Sequence, residues 1–254
     1  MKPFTYNEIK DSSLEKEMNL LLSDISFEES PYMYGSNYVP RVTSILSDML
    51  HEEYLMRWAN YMGRIKHQDH TKHTERAADI GTIVHSTIEH YLKNDNMPDT
   101  CFDEISDRFM KDSCHNAFLS FKRWWSIISQ NQYRILMQEQ PLVCKYYGGT
   151  LDALIEINSR TYIVDFKTSN HFNYKYYLQT SAYRRLLYYN YGIIVDGIII
   201  LRLSKDDVSF EEQILDFSRQ NDLMFITDCE RCFLSLVYAY YNRNIVQRKY
   251  SEFS

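Results

Sequence analysis

Residues 148–167 read GGTLDALIEINSRTYIVDFK, and this stretch decides the fold that we expect for the chain. Residues 150–157 and 161–167 are short segments rich in aliphatic, β-branched and aromatic side chains, which is typical of strands. The turn-forming pair Asn158-Ser159 separates them, so the sequence predicts a tight hairpin of two strands.

Acidic side chains lie at the far end of this hairpin. Asp165 and Lys167 are two residues apart and therefore lie on the same face of their strand. If the turn has two residues, Asp152 falls opposite Asp165, with Cβ atoms about 4.5–5.5 Å apart. Two facing carboxylates on apolar strands repel each other, which raises a pKa or favours a bound metal ion. A three-residue turn would shift the pairing, and a surface hairpin with solvated charges is the alternative.

The remaining pattern predicts an α/β domain with a mixed central sheet flanked by helices. A helical region of residues 1–76 is expected to precede the core, residues 77–254, and to pack on it or form a separate lobe. The helices are expected at residues 77–93, 115–130, 174–191 and 225–241, and further strands at residues 142–147 and 193–203.

Composition excludes several classes of protein. The longest apolar run is too short to span a bilayer, and the N-terminus has no apolar segment typical of a secretory signal. The five cysteines are scattered, so a disulfide framework is not expected. We expect instead an intracellular, cytoplasmic location, which would be the host cytoplasm if the protein is viral. A net charge of −6 argues against coating of nucleic acid by bulk charge, but metal ions can offset a local carboxylate cluster.

Glycine is scarce, with 7 residues in the chain. Gly148 and Gly149 directly precede the Asp152 strand, and Gly81 precedes His85 by four residues. Such placement predicts close approach of other groups to the backbone at these positions.

Several motifs together resemble the PD-(D/E)XK nucleases. Asp152 followed by the run Asp165-Phe166-Lys167 resembles the split D…(D/E)-x-K signature of that superfamily. The upstream segment GTIVH, which ends at His85, resembles a helical element of the RecB-like branch.

Further matches extend this resemblance over about residues 38–203. Gln179 and Tyr183 match the Q-x-x-x-Y motif of the RecB-like branch, and residues 40–44 are similar to exonucleases of the phage and mitochondrial genome maintenance type. Each motif alone is weak, whereas their common order and spacing are specific. The resemblance implies a restriction-endonuclease-like core.

The resemblance also implies a metal site. Its ligands would be His85, Asp152, Asp165 and the backbone carbonyl of Phe166, and oxygen ligands of this kind suit Mg²⁺ or Mn²⁺. Glu139 resembles the acidic residue that supports a second metal, although an ordinary solvated Glu at a strand start is the alternative. Without the resemblance, His85 is expected more often as a core histidine than as a ligand.

Roles for the neighbouring side chains follow from the same resemblance. Lys167 would position or help to deprotonate the attacking water and stabilise the charge of the transition state. Gln179 and Tyr183 lie one turn apart on a helix and would orient the active site and the DNA backbone; helix packing is the alternative.

Residues outside these motifs are candidates for DNA contacts. The polar, locally basic segment of residues 63–76 contains Arg64, Lys66 and Lys72, which are expected to contact phosphates. Tyr176, in a tyrosine-rich run before Gln179, is a candidate for base stacking, with core packing as the alternative.

An iron–sulfur cluster is not expected. Some RecB-like relatives carry one, and Cys229 and Cys232 form a C-x-x-C. Such clusters are normally held by four thiolates, and the third late cysteine of those relatives is missing here.

The expected function is that of a metal-dependent DNA exonuclease that acts from an end, on single strands, in replication, recombination or repair. The alternatives are a structure-specific endonuclease of the same fold and an inactive nuclease-like DNA-binding module. The intact set of Asp152, Asp165 and Lys167 favours catalysis. The chain has no phosphate-binding loop of a helicase, so a helicase or recombination protein would be a separate partner, and no membrane partner is expected.

Overall fold

The structure is a computed structural model that describes residues 30–50, 70–94 and 102–253, with residues 70–73, 252 and 253 described by their backbone alone. The helical region predicted at residues 1–76 is therefore described only at residues 30–50 and 70–76. In the part of the chain described, the helices are too short or too polar to cross a membrane.

A five-stranded mixed sheet forms the centre of the fold. Its strands lie side by side in chain order; β5 and β6 are parallel and all other neighbours are antiparallel. A short hairpin of β1 and β2 precedes the sheet. The strands are β1 (Met33–Tyr34), β2 (Asn37–Tyr38), β3 (Tyr133–Val143), β4 (Gly148–Ile157), β5 (Arg160–Lys167), β6 (Gly197–Leu203) and β7 (Phe210–Asp216).

Helices cover both faces of the sheet, which confirms the predicted α/β class and is compatible with a restriction-endonuclease-like core. Helices α1, α4 and α5 pack on one face, and α2 and α3 pack on the other. Helix α2 continues through residue 76, where the sequence predicts the boundary between the N-terminal region and the core. The division of the chain at this boundary remains a prediction. The helices are α1 (Val42–Met49), α2 (His70–Asn94), α3 (Arg108–Ile128), α4 (Tyr174–Tyr191) and α5 (Gln220–Phe253).

The hairpin between β4 and β5 has the predicted two-residue turn. Asn158 and Ser159 have φ angles of 50° and 62°, and positive φ at both positions is typical of the turn that matches the twist of antiparallel strands. The predicted register is confirmed from the pair Ile157 and Arg160 to the pair Ala153 and Val164. Asp152 and Asp165 are the next residues beyond this last pair.

The sheet differs from the sequence prediction mainly in two features, and in addition β6 begins at Gly197 instead of residue 193. The strand predicted at residues 142–147 is wrong: β3 begins at Tyr133, and the chain turns after Val143, where the amide of Cys144 donates to the carbonyl of Tyr147 at 2.9 Å. Strand β7 was not predicted at all. It is an edge strand with polar, partly exposed side chains, so it lacks the apolar run of a buried strand.

Candidate metal and catalytic site

The candidate site residues of the sequence motifs lie on five different elements that meet near the carboxyl end of β5. Helix α2 contributes one of them from one face of the sheet, and α4 contributes two from the other face. The set comprises His85 on α2, Glu139 on β3, Asp152 on β4, Asp165, Phe166 and Lys167 on β5, and Gln179 and Tyr183 on α4.

His85, Glu139 and Asp152 form the tightest group. The Nδ1 atom of His85 is 3.5 Å from Oδ1 of Asp152 and 3.8 Å from Oε1 of Glu139. One ligand atom from each of the three residues lies within 4.8 Å of the others. The Nε2 atom of His85 is 3.0 Å from the carbonyl oxygen of Phe166. Both ring nitrogens of His85 therefore contact polar atoms of the strands.

The surroundings of His85 favour a positive charge. Burial alone would lower its pKa, but the charge of Asp152 and the hydrogen bonds to Asp152 and Glu139 outweigh burial and raise the pKa to about 10. The pKa of Asp152 is lowered: burial opposes its ionisation, and the neighbouring charges of His85 and Lys167 reverse that effect. The carboxylates of Asp152 and Glu139 therefore favour a positive charge at this point of the site.

Glu139 has an unusual backbone conformation. Its φ is +40°, and it stands between the pairs Gln138–Ala153 and Gln140–Leu151, which places it opposite Asp152. Positive φ at a residue other than glycine is strained, and such strain is concentrated at functional sites. Glu139 lies within β3 and not at a strand start, and its role beside the metal stays a prediction.

Asp165 is the most buried carboxylate of the site. It is 1% exposed, its Oδ2 is 2.7 Å from Nζ of Lys167, and its Oδ1 has no hydrogen-bond partner among the described residues. Burial is the main reason that the pKa of Asp165 rises to about 6, and the charge of Asp152 adds to the effect. Asp165 is not part of the group formed by His85, Glu139 and Asp152. In this structure it is paired with Lys167 instead.

Lys167 is partly buried, and its surroundings favour the charged form. Burial would lower its pKa, but Asp165 and Asp152 outweigh that effect and raise the pKa above the usual value. Its Nζ also lies over the ring of Tyr176, 5.2 Å from the ring centroid. Lys167 is therefore an ammonium ion at neutral pH.

Phe166, between Asp165 and Lys167, connects the site to the core. Its amide donates to Oδ2 of Asp152 at 2.8 Å, which ties β4 to the end of β5. Its ring packs edge-on against Phe121 and Trp124 of α3, with centroids 5.6 and 6.5 Å away. The buried ring holds the backbone carbonyl of Phe166 in place beside His85.

Gln179 and Tyr183 contact each other on α4. Nε2 of Gln179 donates to the hydroxyl of Tyr183 at 2.9 Å. Tyr183 is buried, which together with the charges of Asp152 and Asp165 raises its pKa well above the usual value. Tyr183 also belongs to the buried core on this face of the sheet. It therefore takes part in helix packing and lies beside the candidate site.

Tyr32 is a residue near the site that the sequence motifs do not include. It packs on Gly148, and its hydroxyl is 2.7 Å from the hydroxyl of Thr150, two residues before Asp152. Gly149 accommodates Tyr183 in the same way. The glycine pair predicts this close approach, but no sequence signal identifies which tyrosines make it.

The predicted DNA-contacting residues are described only in part. Arg64 and Lys66 lie outside the described residues, and Lys72 belongs to α2 but its side chain is not described. Their role therefore stays a prediction. For the cysteine pair, Cys229 is buried and Cys232 is exposed.

The donor set fits a divalent cation. Carboxylate and carbonyl oxygens suit Mg²⁺ and Mn²⁺, and an imidazole nitrogen is a softer ligand that favours Mn²⁺ over Mg²⁺. The buried Oδ1 of Asp165, which lacks a hydrogen-bond partner in the described part of the chain, is a further oxygen available to such an ion. The group of described residues that could hold a metal ion contains no cysteine.

No protein-family model and no curated protein matches the chain. Among solved structures, the crystal structure of SSO0001 is 13% identical and covers 88% of this chain and 84% of its own, with a TM-score of 0.33. A phage related exonuclease from Haemophilus somnus 129PT is 12% identical and covers 83% of this chain and 96% of its own, with a TM-score of 0.38. At these TM-scores neither similarity supports a conclusion about activity.

Proposed function

We propose that this protein is a metal-dependent nuclease that hydrolyses phosphodiester bonds of DNA. The observation that carries the proposal is the convergence of one imidazole, three carboxylates and one partly buried ammonium near the carboxyl end of β5. A binding module needs positive charge for phosphates, but it does not need buried carboxylates that repel them. A cluster of acidic groups beside a lysine is instead suited to a reaction that uses a metal ion.

His85, Asp152, Asp165 and the carbonyl of Phe166 would hold the metal, with Glu139 beside them. A bound Mg²⁺ or Mn²⁺ supplies a more acidic water and neutralises negative charge on the phosphate. The strained backbone of Glu139 and the hydrogen bond from Phe166 to Asp152 fix these groups before substrate binds. Such preorganisation avoids rearrangement during the reaction.

Lys167 would act through its positive charge. The neighbouring carboxylates Asp165 and Asp152 favour its protonated form. An ammonium 2.7 Å from Asp165 can orient the attacking water and stabilise the charge that develops on the phosphate. Gln179 and Tyr183 would orient the DNA backbone from the α4 side.

The preferred substrate would be linear single-stranded DNA, degraded from an end. The support for this finer proposal is the resemblance to RecB-like exonucleases together with the placement of His85, which α2 brings to the carbonyl of Phe166 near the carboxyl end of β5. A helix that covers the site favours threading of a strand, and unpaired bases allow contacts that duplex DNA does not. Arg64, Lys66 and Lys72 would contact the phosphates, and a helicase or recombination protein would be the partner.

The experiment compares a covalently closed single-stranded circle with the same strand linearised, in Mn²⁺, in Mg²⁺ and in chelator. We expect rapid loss of the linear strand with metal, survival of the circle, and no cleavage in chelator. Equal cleavage of circle and linear strand would reject the exonuclease proposal and favour a structure-specific endonuclease. Binding without cleavage in every condition would favour an inactive DNA-binding module.

A further inference from the structure

Lys167 has a second neighbour besides Asp165. Its Nζ is 2.7 Å from Oδ2 of Asp165 and 5.2 Å from the centre of the Tyr176 ring. The side chain of Lys167 is 15% exposed, so these contacts replace much of the water around the ammonium. A cation within about 6 Å of a ring centroid is attracted by the electron-rich face, more strongly when water is excluded.

The ring of Tyr176 is held in a well-defined position. It belongs to the first turn of α4, where the Asn173 side chain accepts from the amide of Lys175 at 2.9 Å and the Asn173 carbonyl accepts from the amide of Tyr176 at 3.0 Å. The Lys175 ammonium donates to the carbonyl of Leu50 at 2.8 Å, which ties this turn to the end of α1. The ring also packs against the buried core on this face of the sheet.

These contacts complement each other. Lysine has a long flexible side chain, and a single carboxylate at its tip leaves it several orientations. The ring of Tyr176 limits those orientations from a second side without offering an acceptor that would compete with a phosphate oxygen. In addition, the ring face that meets the ammonium is not free to stack on a base.

We propose that Tyr176 is a positioning residue that holds the Lys167 ammonium in its reactive orientation. This inference rests on the proposed nuclease function, and it replaces the base-stacking role that the sequence suggests for Tyr176. The positioning acts through the ring face, so phenylalanine preserves it and an aliphatic residue does not.

The test uses Tyr176→Phe and Tyr176→Leu, with Tyr174→Leu as the control, since Tyr174 lies in the same turn and is 56% exposed. We expect wild-type kinetics for Tyr176→Phe and Tyr174→Leu. For Tyr176→Leu we expect a kcat about 10–100-fold lower with KM on linear single-stranded DNA changed less than about twofold, since misplacement by about 1 Å can cost about 100-fold in rate. Thermal unfolding checks each fold, and Tyr176→Met replaces the leucine variant if that variant does not fold.

A second readout does not depend on activity. In a proton–carbon NMR spectrum of lysine-labelled protein, assigned with Lys167→Arg, the ring current of Tyr176 shifts the Lys167 ε-methylene signal upfield. We expect this shift in the wild type and in Tyr176→Phe, and its loss in Tyr176→Leu.

Several outcomes would overturn the proposal. The first is a raised KM with unchanged kcat in Tyr176→Leu, which would indicate base stacking. The second is unchanged kinetics in that variant. The third is a Lys167 NMR signal that does not change when the ring is removed. Absence of cleavage by the wild-type protein would reject the proposed function, and the NMR shift would then decide whether Tyr176 holds Lys167.

Discussion

Gly149 lies so close to Tyr183 that a Cβ atom on residue 149 would be 2.5 Å from Cε1 of the ring. This contact joins β4, which bears Asp152, to α4, which bears the Gln179–Tyr183 pair. Tyr183 is buried in the core, so the ring has little room to retreat. The packing of β4 against α4 therefore requires a residue without a side chain at position 149.

We predict that Gly149→Ala destabilises the protein by about 1–3 kcal/mol, the usual effect of overpacking a core. Gly81→Ala is the control, because a Cβ at residue 81 would lie 3.6 Å from the Thr168 hydroxyl, which is an ordinary contact. Alanine also has a higher helix propensity than glycine, so this variant should not lose stability. Urea unfolding measures both variants. Equal stability of Gly149→Ala and the wild type would show that Tyr183 is free to move.

Metal binding is expected to stabilise the fold. A ligand that binds only the folded state adds about 2.7 kcal/mol at 100 times its Kd, which for a chain of this size raises Tm by about 5–10 °C. Mn²⁺ should produce this rise in the wild type, and Asp152→Asn should largely abolish it. Glu156→Gln is the control on the same strand. The Glu156 carboxylate pairs with Arg134 at 3.1 Å and is not part of the group formed by His85, Glu139 and Asp152. An equal rise in Asp152→Asn would place the metal elsewhere.

Much of the site was predictable because its spacing follows from strand geometry. The two-residue turn at Asn158 and Ser159 fixes the register, and the register brings Asp152 and Asp165 to the same end of the hairpin. The strain at Glu139 was not predictable, since it depends on how β3 meets β4 and not on local sequence. Tyr32 was missed for the same reason, because its contact with Gly148 joins residues far apart in the chain.

A surface ion pair gives a pH-dependent contribution to stability. Arg160 donates to both oxygens of Asp216, at 2.9 and 2.5 Å, and holds the pKa of that carboxyl well below its usual range. A lowered carboxyl pKa adds stability above the pKa of the unfolded chain, about 3.9, and that stability is lost as pH falls toward the folded value. Asp216→Asn should therefore lower Tm at pH 7, with a difference that shrinks between about pH 4 and pH 2.

The control for this experiment is Asp228→Asn, which alters an exposed pair with Arg231 on α5. Its Tm should follow that of the wild type across the same pH range. A difference between Asp216→Asn and the wild type that stays constant down to pH 2 would show that the ion pair does not account for the stability.

Lys167 is predicted to act on the chemical step. Lys167→Ala should lower the single-turnover cleavage rate by about 10²–10³-fold, the usual effect of removing one group that stabilises developing charge. The Mn²⁺-dependent rise in Tm should remain, because Lys167 is not expected to be a metal ligand. An unchanged rate at saturating DNA would mean that its charge serves only to balance Asp165.

The most direct test of the central claim is the rate at which Asp165→Asn cleaves end-labelled linear single-stranded DNA in Mn²⁺, measured beside the wild type and Glu156→Gln. We predict cleavage by the wild type and Glu156→Gln at similar rates, and a rate at least about 10²-fold lower for Asp165→Asn with an unchanged circular dichroism spectrum. Cleavage by Asp165→Asn at the wild-type rate would contradict the metal-dependent mechanism.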